Sequence, residues 1–129
     1  MNPVRHLSVA IARPWREVYA FAGDPLNLPR WATGLSRGIS AEGDHWLIAG
    51  DGGPWVLRFA PPNPWGVMDH TVVTPGGDVF VPMRVVANGG GCQMEISLYR
   101  QPEMDDAAFE RDCGLVKDDL NRLKGLLEG

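Results

Sequence analysis

The chain is poor in cysteine, in clustered positive charge and in long apolar runs, and each shortage removes a class of function. Its two cysteines, Cys92 and Cys113, stand far apart without metal-ligand spacing. They read as a strand-edge thiol and a core thiol, and no metal site is expected. Basic side chains number 12 against 16 acidic ones in 129 residues, a formal charge of −4. No Lys/Arg cluster interrupts that balance, so the footprint of a nucleic-acid binder is missing. No apolar run approaches the roughly 18 residues that a membrane span needs. Arg5, His6, Arg13 and Arg16 break up the stretch where a signal peptide would be apolar. The expectation is a cytoplasmic protein of one domain, residues 1–129. Gly50 to Gly53 is glycine-rich, but no helix follows to receive a phosphate. No Ser-His-Asp order and no His/Cys/carboxylate cluster stands out. No cofactor is expected.

One long helical pattern is present. From Met104 to Glu128 the large apolar residues are Phe109, Cys113, Val116, Leu120, Leu123 and Leu127, all on one helical face. Asp105 is placed to cap the start and Asp106 to favour its positive end. A helix of about 23 residues spans roughly 35 Å, so its stripe needs a broad partner surface. Gly114 lies off the stripe and lowers helix propensity.

Nearly everything before that helix reads as short strands. The 16 glycines and 11 prolines cluster between apolar runs and predict many tight turns. His6 to Ala12 alternates Leu7, Val9 and Ile11 against smaller residues. Pro14 then opens a helix carrying Val18, Phe21 and Ala22, which Gly23-Asp24-Pro25 closes, with Asp24 read as a cap. A short second helix holds Leu28 and Trp31. Strands follow at Arg37–Glu42, His45–Ala49, Trp55–Phe59, Gly66–Val73, Asp78–Ala87 and Gln93–Arg100. This order predicts an α+β fold: a seven-stranded curved antiparallel sheet around the last helix, with two short helices after strand 1. The first strand can pair with the last. A single helix cannot fill the concave side of seven bent strands, which leaves room for a cavity.

The opening IARPWREVYAFAGDPLNLPRWATG and the closing LYRQPEMDDAAFERDCGLVKDDLNRLKGLLE resemble the START-like superfamily, also called SRPBCC or Bet v 1-like. NPWGVMDHTVV and VPMRVVANGGG look like the paired middle strands of its small bacterial, polyketide cyclase/dehydrase-like subgroup. The resemblance covers essentially the whole chain and implies a helix-grip fold. It leaves function open, because the superfamily includes lipid carriers, aromatic cyclases, hydroxylase domains, hormone receptors and chaperone activators.

If each strand turns its more apolar face inward, the cavity wall includes Trp46, Trp55, Leu57, Phe59, Met68, Met83, Met94 and Ile96, with Ile48, Val72, Val81, Val85 and Leu98 beside them. The helix adds Phe109, Val116 and Leu120, and Trp31 is placed at a pocket mouth or in the core. Such a wall suits a small hydrophobic or aromatic partner molecule. His70 shares the face of Met68 and Val72, where an imidazole could orient a ligand carbonyl or act as general acid/base. A bulge in that strand would put Asp69 inside instead. Arg58, Asp69, Arg84 and Glu95 fall on outward faces as a surface charge ladder. Three functions follow: a carrier of a lipid- or polyketide-like ligand, a cyclase or dehydratase using His70, or a cavity-free interaction module, for instance a homodimer through an exposed sheet edge.

Overall fold

The computed structural model describes residues 1–35 and 37–129. β1 (Val4–Ile11) turns Leu7, Val9 and Ile11 inward, and the same period turns Arg5 inward with them. Pro14 precedes α1 (Trp15–Ala22), its ring-fixed φ of −59° leading the chain into the helix, and Gly23 ends it. The Asp24 carboxylate accepts the Leu26 N–H at 3.0 Å and starts a 3₁₀ turn, Pro25–Asn27. A single turn, α2 (Leu28–Trp31), and a second 3₁₀ turn, Thr33–Leu35, complete the crossing.

The strands then run β2 (Ile39–Glu42), β3 (His45–Gly50), β4 (Gly53–Phe59), β5 (His70–Thr74), β6 (Gly77–Val81), β7 (Met83–Asn88) and β8 (Gly91–Tyr99). All pairings are antiparallel, in two sheets ordered β1-β8-β7 and β2-β3-β4-β5-β6. The count is eight rather than the expected seven because Pro82 splits the Asp78–Ala87 run. Proline has no N–H for a ladder. Its carbonyl still accepts the Ser97 N–H at 3.0 Å, so β8 tracks the chain across the break.

The expected strand Gly66–Val73 is also divided. Its first part crosses to the other sheet: Val85 N–H donates to the Gly66 carbonyl at 3.0 Å, and Met68 N–H donates to the Met83 carbonyl at 2.7 Å. Only His70–Thr74 pairs with β4 and β6. Gly66 makes the crossing feasible. Its φ is +72°, and a Cβ there would sit 2.6 Å from the Val85 carbonyl oxygen. Cys92 is corrected too: β8 lies between β1 and β7, and the thiol is buried on the inner face rather than at an edge.

α3 (Asp106–Glu128) begins at Asp105, whose carboxylate accepts the Ala108 N–H at 2.8 Å. Phe109, Cys113, Leu120 and Leu123 are buried along its stripe, while Val116 and Leu127 are half-buried. The helix runs closest to β1 and α2. Its charged side chains also cover the outer edge of β1. Lys117 Nζ donates to the Ser8 carbonyl and Lys124 Nζ to the Ala10 carbonyl, both at 2.7 Å, and Glu128 accepts the Ala12 N–H at 2.8 Å. An edge strand otherwise open to pairing is thereby occupied.

Candidate functional site

Cross-strand register places the inner face residue by residue. Trp46 opposes Leu57, Leu57 opposes Val72, and His70 lies between Phe59 on β4 and Val81 on β6. On the other sheet Met83 opposes Ile96, and Val85 and Val9 flank Met94. The structure therefore brings the expected strand residues onto one continuous concave surface.

That surface has two characters. Leu57, Met68, Met83, Met94, Ile96, Phe109, Leu120 and Trp31 are buried and form part of the packed interior. Trp46, Trp55, Phe59, His70 and Val116 are half-buried, as are Val72 and Val81 beside them. Of these, Trp55 closes the end of its hairpin. A Cβ on Gly50 would lie 2.3 Å from the indole, and Trp55 Nε1 donates to the Asp51 carbonyl at 3.2 Å. The half-buried part of the strand face is thus Trp46, Phe59 and His70, with Val116 a half-buried residue of α3.

His70 is the polar member of that part. Its ring lies parallel to Phe59, centroids 5.4 Å apart and planes 2° from coincident. Nδ1 lies 3.0 Å from the Met68 carbonyl oxygen. Burial holds the imidazole pKa below its usual range, against smaller opposing effects of the Met68 carbonyl and Asp69. The ring therefore stays neutral near pH 7. The strand is not reversed by a bulge. Asp69 turns away, accepting the Met83 N–H at 2.9 Å and pairing with Arg84 at 3.1 Å. With Glu95 opposite Arg84, three of the four expected outward charges are neighbours, while Arg58 faces Thr71.

Trp31 is only 2% exposed, and among the described residues its Nε1 is the one buried side-chain polar atom without a hydrogen-bond partner. Most buried donors are paired, because an unpaired one costs about 1–3 kcal/mol. Arg5 shares the inward parity of β1 although it is charged. It lies 5.5 Å over the Phe109 ring and pairs with Glu110 at 2.5 Å, at the end of the inner face. It is two residues before Leu7 and so shares its face.

Trp31 borders a cleft of about 260 Å³ with Pro29, Thr33 and Arg122, and the larger described clefts lie elsewhere. One of about 560 Å³ is lined by Ile39, Leu47, Ile48 and Pro54 at the β2–β4 rim. Another of about 440 Å³ lies on the outer face among His6, Asp69, Arg84, Glu95 and Tyr99. Trp46, Phe59 and His70 line neither. Chemically the inner face offers apolar walls and one neutral imidazole held in a fixed orientation.

No family model and no curated protein matches the sequence. Solved structures do. An uncharacterised protein from Bacillus thuringiensis superposes with a TM-score of 0.78 at 16% identity, covering 98% of this chain and 100% of that one. A START superfamily protein from Mycobacterium smegmatis gives 0.73 at 10% identity, covering 97% of each chain. A protein of the dynemicin biosynthetic locus gives 0.72 at 18% identity over 99% of this chain, which spans 48% of that protein's length. Ara h 8.0201 gives 0.66 at 13% identity with both chains fully covered. With its curved antiparallel strands gripping one long C-terminal helix, the chain has the START-like (SRPBCC) helix-grip fold.

Proposed function

We propose that the protein binds a small hydrophobic or aromatic molecule, lipid- or polyketide-like, between the inner face of β3–β6 and α3. The observation that carries this reading is the half-buried state of Trp46, Phe59, His70 and Val116 on an otherwise packed apolar surface. Aromatic side chains left partly open to solvent on a concave face gain from being covered, at roughly 25 cal/mol per Å² before ordering costs. Because those side chains are not locked on every side, a flat ligand is admitted by their displacement. The fold likeness to a START superfamily protein agrees with this use. Native mass spectrometry of the protein from its host cell is expected to show an added small-molecule mass. A bare mass, together with no melting-temperature shift across a lipid and aromatic library, overturns the proposal.

A catalytic variant of this reading rests on His70. A neutral imidazole in an apolar site is suited to take a proton from a folded polyketide-like substrate. Scarcity of other polar groups on that face ranks it second. Undiminished turnover in His70→Ala removes it.

A further inference from the structure

The hydrogen bond at His70 decides what kind of ligand the inner face accepts, and this inference rests on the ligand-site reading above. A carbonyl oxygen only accepts, so the 3.0 Å contact with Met68 requires Nδ1 to carry the proton. The other nitrogen, Nε2, is then a bare lone pair. Its lateral neighbours in register, Phe59 and Val81, have no side-chain donor. Asp69, the adjacent carboxylate, is engaged by Met83 and Arg84 on the outer side. Nε2 has no hydrogen-bond partner among the described residues, and the residue that carries it is half-buried rather than sealed. The parallel stack on Phe59 fixes the ring plane and with it the direction of the lone pair.

We propose that the site selects ligands bearing an O–H donor, a phenol or an enol, received by Nε2 of His70. A ligand carbonyl or ether oxygen at that point sets lone pair against lone pair, so the imidazole does not orient a carbonyl. Burial disfavours a second proton on the ring, which keeps Nε2 an acceptor.

The test uses a matched pair, 2-naphthol and 2-methoxynaphthalene, titrated calorimetrically into wild type and His70→Phe. Phenylalanine keeps a ring against Phe59 and removes the lone pair. Wild type is expected to bind 2-naphthol about three- to tenfold more tightly than the ether. In His70→Phe that ratio falls to about one. In parallel, the ¹⁵N spectrum of the wild-type His70 ring is expected to show a non-protonated Nε2 whose signal moves with 2-naphthol and not with the ether. Equal binding of both probes to wild type, or a proton on Nε2 in the free protein, overturns the donor selectivity and leaves the ligand site standing. Failure of wild type to bind either probe counts against both.

Discussion

The three-stranded sheet and the five-stranded sheet are built from similar alternating sequence, yet one is largely sealed and the other half-open. In β1, β7 and β8 the inward residues Val9, Ile11, Met83, Val85, Cys92, Met94 and Ile96 are buried, while Arg5, Leu7 and Leu98 are half-buried. In β2 to β6 only Ile48 and Leu57 are buried. Coverage explains the difference. β1 lies against α3, and β7 and β8 lie against α1, whereas the main helical neighbour of the five-stranded sheet is the turn Pro25–Asn27 beside β2. The helices close what they can reach, and the remainder of the curved sheet keeps its inward side chains half-buried.

The largest effect expected from this contrast is at Leu120, which is fully buried on the sealed side. Leu120→Ala should cost about 2–5 kcal/mol in urea unfolding, since little nearby can collapse into the void. Phe59→Ala, on the half-open side, should cost less, about 1–2 kcal/mol, because its ring already meets solvent. Equal losses at the two sites would break the contrast.

A subtler probe is pH. The folded His70 pKa is depressed by burial, so the unfolded chain binds its proton first as pH falls. The stabilisation is complete above the ordinary imidazole range near 6.5 and is lost as pH drops through the lower folded value. Wild type should therefore lose more stability than His70→Phe between pH 7 and 5, measured by denaturant midpoints at each pH. Parallel pH curves would place the ring in open solvent. The smallest effect is expected at Gly114, where added methyl bulk meets open space. Gly114→Ala should stabilise by about 0.5–1 kcal/mol and leave ligand binding unchanged, since it touches neither half of the inner face.

Much of this was legible in the chain. The 4-3-4-3-4 spacing from Phe109 to Leu127 located α3, and Asp105 marked its first turn. Alternation assigned Trp46, Leu57 and Met94 to the inner face. Two strand boundaries were not legible. Pro82 sits in an unbroken inward-outward pattern, and only its missing N–H reveals the split. Gly66 to Met68 continues the parity of β5, but those residues bond to β7, a partner that no local pattern names. The side taken by Arg5 was not legible either, because a charged residue at the end of a strand does not advertise its face.

By itself the sequence determined the order of elements, the parity of each strand and the apolar stripe of the last helix. All three are periodicities set by backbone geometry over a few neighbouring residues. Where α3 rests, which strands it leaves uncovered, and which nitrogen of His70 carries its proton were decided only in the tertiary structure. Each depends on partners brought together from distant parts of the chain: Lys124 beside Ala10, Phe59 against His70, and Gly66 under Val85. Such contacts are fixed by packing and by the need to pair every buried polar group, which no local spacing encodes.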